Sequence, residues 1–188
     1  MALVLAMVAL PVAAQADQMQ VVNCDGFDIT YDAPGAKQTC YDLDVSGNQT
    51  DAEYKRLTSQ AANYELTLTY AVGKFRTYFP MRSLREQIED AAYFADTDDW
   101  LGVKKFGGFE VAVFDGFQSA GSKPTLCAAF SRYSGNMSGQ YEYPGGPGFP
   151  HHALGLYCVF ADQQALLNPP DNFYRVVEEA IGRLHLPQ

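Results

Sequence analysis

Residues Met1–Ala16 carry no charged side chain and end in Pro11-Val12-Ala13-Ala14-Gln15-Ala16. An apolar core of about 7–15 residues closed by a small-x-small site has the form of a secretory leader. The reading predicts cleavage after Ala16 and a mature chain that begins near Asp17 and folds outside the cytoplasm, in a periplasmic or extracellular compartment. This condition constrains the fold more than any other feature, because it turns the cysteines into a covalent framework. The run is shorter than the roughly 20 apolar residues a bilayer span requires, so no stable membrane span is expected. The basic residue that normally precedes such a core is missing, which places the expected translation start upstream of Met1. No Cys flanks the cleavage site, which argues against a lipid anchor.

Cys24, Cys40, Cys127 and Cys158 are an even set, and in an oxidising compartment two disulfides are the expectation. Four cysteines allow three pairings; local spacing favours Cys24 with Cys40 and Cys127 with Cys158. No two cysteines stand two to four residues apart, as structural zinc sites require, so no metal is assigned to them.

Residues 17–188 suffice for a single domain with a real core. The formal net charge of −9 disfavours nucleic acid and anionic membrane surfaces as partners. No block of five or six like charges occurs, so the acidity reads first as solubility.

Along the chain, Val21–Cys24 and Phe27–Tyr31 have strand character and are separated by Asp25-Gly26, which predicts a small hairpin stapled by Cys24 and Cys40. Thr50-Asp51-Ala52-Glu53 has the form of a capping box, followed by Tyr54, Leu57 and Ala61 at helical spacing, predicting a helix over 51–62. Tyr64, Leu66, Leu68, Tyr70 and Val72 alternate with Glu65, Thr67 and Thr69, the pattern of a half-buried strand. Ser83-Leu84-Arg85-Glu86 is a second capping box, opening a helix to about Ala95 with Leu84, Ile88, Ala91, Ala92 and Ala95 on one stripe. Further strands are predicted over 109–114, 125–133 and 154–160. A last helix follows Asn168-Pro169-Pro170-Asp171, with Phe173, Val176, Val177, Ala180, Ile181 and Leu184 at helical spacing. The element order predicts an α+β fold, a mostly antiparallel sheet with two or three amphipathic helices packed on it as a two-layer sandwich.

The stretch from Ser134 to Ala153 is rich in Gly, Pro and Tyr, too long for a hairpin turn and too poor in aliphatic residues to extend the core. It predicts a surface loop, and Tyr141, Tyr143, Phe149, His151 and His152 within it are the candidate binding residues. The adjacent histidines do not by themselves form a metal site, because neighbours in an extended chain point to opposite faces.

Catalytic patterns are sparse. Gly135-Asn136-Met137-Ser138-Gly139 lacks the register of a nucleophile elbow. His185 falls at the end of the last helix, where a cation complements the helix dipole. The turn Asp96, Asp98, Asp99, Trp100 lacks the ligand spacing of a calcium loop. No phosphate-binding glycine loop is present, and no cofactor is expected. Asn48-Gln49-Thr50 and Asn136-Met137-Ser138 match the N-glycosylation acceptor pattern. Of the 12 Tyr and 12 Phe, Tyr64, Tyr70, Phe109 or Phe114, and Phe130 fall on strand faces that must be buried. Tyr141, Tyr143 and Phe149 do not, and they carry the case for recognition.

These observations point to an exported, non-enzymatic accessory or binding module that presents the loop to a protein, an envelope polymer or a small ligand. The alternative is a small secreted hydrolase using His151 or His152 with Glu142, Asp98 or Asp99 as the acid.

Overall fold

Eight strands pair in one antiparallel sheet in the order β1-β3-β4-β5-β11-β9-β8-β7 in a computed structural model that describes residues 19–43, 52–74, 77–90, 100–115, 125–137, 148–160 and 170–187. The strands are β1 (Met19–Val22), β3 (Lys37–Leu43), β4 (Ala52–Gln60), β5 (Tyr64–Gly73), β7 (Trp100–Phe106), β8 (Phe109–Asp115), β9 (Thr125–Ser134) and β11 (His151–Phe160). Two small ribbons complete the β structure: β6 (Phe79–Pro80) with β10 (Gly148–Phe149), and β2 (Thr30–Tyr31) with β12 (Leu184–His185). The helices among the described residues are α1 (Leu84–Asp90) and α2 (Pro170–Gly182). The leader and the acidic turn at 96–99 lie outside the described residues.

The expected α+β sandwich is therefore corrected: the protein is mostly antiparallel β, built on one large sheet with two helices among the described residues. The predicted helix over 51–62 is where the expectation fails. In β4, Leu57 and Ser59 are fully buried while Arg56, Thr58 and Gln60 occupy the opposite face, a period of two instead of 3.6. Pairing with β3 on one side and β5 on the other satisfies the backbone along β4, a long-range gain that overrides a local helical pattern. The predicted hairpin of 21–31 also gives way. β1 pairs with β3, and β2 pairs with β12 at the C-terminus. His185 accordingly sits in a strand opposite Thr30, beyond the end of α2. Strand β7, unassigned by its sequence pattern, is joined to β8 by Gly107-Gly108, both at positive φ, a two-residue turn that glycine enters without strain.

One helix lies on each face. On the first, Leu57, Leu66, Leu68, Val111, Val113, Phe130 and Tyr157 form the core with Phe173, Val177, Ala180 and Ile181 of α2. On the second, Leu84 and Ile88 of α1 cover Ala112, Phe114, Cys127, Ala129 and Cys158. Strands β8 and β9 are thus buried on both sides, which explains their nearly unbroken apolar sequences, whereas β5 shows clean alternation. Both disulfides, Cys24–Cys40 and Cys127–Cys158, are present. The second joins residues directly opposite in β9 and β11 beneath α1. Ser83 and Glu86 form the predicted capping box: the Ser83 amide donates to Glu86 Oε2 at 2.8 Å and the Glu86 amide to Ser83 Oγ at 3.3 Å.

Candidate functional site

The predicted loop over 134–153 is shorter at both ends than its sequence suggests. β9 runs to Ser134 and β11 starts at His151, with Ser134 and His151 directly paired. Between them, Gly148-Phe149 pairs with Phe79-Pro80, and the Gly73 amide donates to the Pro150 carbonyl at 2.8 Å. Gly135, at φ 91°, lies so close to Pro150 that a Cβ there would meet its Cγ at 2.4 Å. The two feet of the connection are thereby fixed to each other and to β5, with the Cys127–Cys158 bridge further along the same strand pair.

His151 and His152 are the first two residues of β11, so they project from opposite faces of the sheet. On the α2 face, the Tyr70 hydroxyl lies 2.9 Å from His151 Nδ1, and the two rings stack at 5.9 Å. The same hydroxyl lies 3.4 Å from the Pro187 carbonyl. Burial raises the Tyr70 pKa above its ordinary value, so the phenol remains protonated and contributes its hydrogen bond as a neutral group.

On the α1 face, His152 stacks on Tyr133 at 4.6 Å, and Phe79 flanks it at 5.9 Å. Its Nε2 lies 2.8 Å from Gln87 Oε1. The Gln87 amide nitrogen donates to the Arg82 carbonyl at 2.9 Å and to Ser131 Oγ at 3.2 Å. Gln87 therefore presents only its oxygen to the imidazole, and the network assigns the proton to Nε2. Burial lowers the His152 pKa to about 4, so the ring is neutral near pH 7. The Arg82 amide donates to the Tyr133 hydroxyl at 3.2 Å, and Phe149 packs on Tyr133 at 5.7 Å. Burial also raises the Tyr133 pKa.

Of the five candidate residues, three are brought together at one end of β11: Phe149 and His152 share Tyr133, while His151 lies across the sheet. Tyr141 and Tyr143 lie outside the described residues, as do Glu142, Asp98 and Asp99. The described hydrogen bonds of the two imidazoles go to a phenol and a carboxamide, so no carboxylate is seen orienting either ring as a general base requires. Among the described residues no three His, Cys, Asp or Glu side chains cluster to hold a metal, and no helix is long and apolar enough to cross a membrane.

Sequence reasoning missed Gln87, Tyr133 and Ser131. Only Gln87 left a trace: it falls between Leu84 and Ile88 on the buried stripe of α1, a polar group where the pattern calls for an apolar one. Such a buried polar side chain demands a partner. Compared with known proteins, the chain matches no family model, no curated protein and no solved structure.

Proposed function

We propose that the protein is an exported, non-enzymatic binding module that presents the connection between β9 and β11 to a protein, envelope polymer or small ligand. Two disulfides are consistent with export. The observation that carries the binding role is how the feet of this connection are held. Ser134 pairs with His151, Gly148-Phe149 pairs with Phe79-Pro80, and Tyr133 is clasped between Phe149 and His152. Feet that are already paired in the free protein need no further ordering on binding, which favours recognition by the segment they carry. The imidazoles serve this base as hydrogen-bonded packing groups.

The test replaces residues 139–147 with a Gly/Ser linker of equal length and compares retention of the two proteins on envelope fractions of the native host. Unchanged thermal stability with lost retention supports the role; equal retention rejects it. Mass spectrometry of the protein from its native host tests export separately. A mass starting near Asp17 that rises by four hydrogens on reduction is expected, and an intact leader with four free thiols rejects it.

A further inference from the structure

The face of the sheet that carries α1 is only partly apolar. Among the described residues its hydrophobic cluster ends at Leu154 and Leu156 of β11. The same face continues over β5, β4 and β3 with a different chemistry. Thr67, Thr58 and Thr39 stand in one row, paired strand to strand, and Thr69, Arg56 and Tyr41 form the next. Tyr54 follows beside Arg56, two residues back along β4. All seven side chains are partly exposed.

We infer that this half-face is a binding surface for an acidic polysaccharide, a sugar polymer that carries carboxylates. Arg56 is the anchor. Its Nε donates to Thr69 Oγ1 at 3.2 Å, the one hydrogen bond it makes among the described residues. That bond orients the guanidinium and leaves the outer edge, with its two terminal nitrogens, to take a carboxylate in a bidentate pair. The local charge of this half-face runs against that of the whole chain. The chain is −9 overall, yet among the described residues of β3, β4 and β5 this half-face carries Arg56 and Lys37 against Glu65. A strongly acidic protein repels polyanions in general, so binding one requires a local site of this kind.

The remaining groups select a sugar over an acidic peptide. Six of the seven side chains carry a hydroxyl and one carries a charge, a composition suited to a polymer with many hydroxyls and spaced carboxylates. The threonine row repeats at the strand spacing of about 4.8 Å, close to the length of one pyranose unit in an extended chain. Each hydroxyl can both donate and accept, as sugar hydroxyls require. Tyr41 and Tyr54 add aromatic surface for the apolar faces of the rings. This surface is separate from the 134–153 connection, and neither reading depends on the other.

Affinity electrophoresis of the purified protein through gels containing polygalacturonate, neutral dextran or poly-glutamate tests the inference. Retardation by polygalacturonate alone is expected. Arg56→Gln should weaken binding by roughly 10- to 100-fold, the scale of one charged hydrogen-bonded pair, and Arg56→Lys should restore part of it. Thr67→Val removes a hydroxyl at constant shape and should weaken binding without unfolding the protein, which keeps the test valid if Arg56→Gln fails to fold. The variant with residues 139–147 replaced should bind polygalacturonate as the parent does. No retardation of the parent, equal retardation by poly-glutamate, insensitivity to both Arg56→Gln and Thr67→Val, or loss on loop replacement would each overturn the inference.

Discussion

Gly155 of β11 stands directly opposite Phe130 of β9, and the phenyl ring lies over the place where a side chain at 155 would be: a Cβ there would meet Phe130 Cζ at 2.2 Å. The ring is fully buried and packs edge-on against Phe109 at 5.8 Å, so it has no room to swing aside. Gly155→Ala is expected to destabilise the fold by about 1–3 kcal/mol through overpacking. Urea denaturation with an unchanged m-value checks this. The double variant Gly155→Ala with Phe130→Leu should recover part of the loss.

His152 makes stability depend on pH. Its folded pKa of about 4 lies below the ordinary 6.5, so the unfolded chain takes up a proton that the folded protein resists. Stability falls as pH drops from about 6.5 and the contribution levels off below about 4, with a total of at most about 3 kcal/mol. Parent and His152→Gln urea midpoints measured at pH 7, 5 and 4 should show a gap that changes across this window. A constant gap would contradict the assigned neutral ring.

Removing either disulfide should leave a folded but weaker protein. The chain-entropy account gives about 3 kcal/mol for Cys24–Cys40, at a separation of 16, and about 4 kcal/mol for Cys127–Cys158, at 31. Both pairs also fill core, Cys40 on the α2 face and Cys127 with Cys158 beneath α1, so each paired alanine variant should lose more than its entropy figure alone. Thermal melts of the two paired variants provide the comparison.

The edge strand β7 is tied to α2 by Tyr174, whose hydroxyl donates to the Gly102 carbonyl at 2.8 Å beneath Lys104, the ammonium lying 4.1 Å from the ring centre. Tyr174→Phe should cost about 1 kcal/mol and speed amide hydrogen exchange in β7 while leaving β5 and β11 unchanged. Asp171→Asn should change stability little, because the Lys104–Asp171 pair is exposed.

What the sequence by itself determined is local. The alternation over Tyr64–Gly73, the capping box at Ser83–Glu86, the stripe of α2 and both disulfide pairings were legible because each signal lies within one element or between cysteines close along the chain. Tertiary structure decided the rest. Residues 52–60 satisfy a helical spacing locally and became β4 because β3 and β5 supply backbone partners on both sides. The histidines read as loop residues, yet their partners Gln87 and Tyr70 lie 65 and 81 positions away. Periodicity reports which face of an element is apolar, whereas strand pairing and the partner of a buried polar group are set by long-range contacts whose energies exist only once the chain has closed on itself.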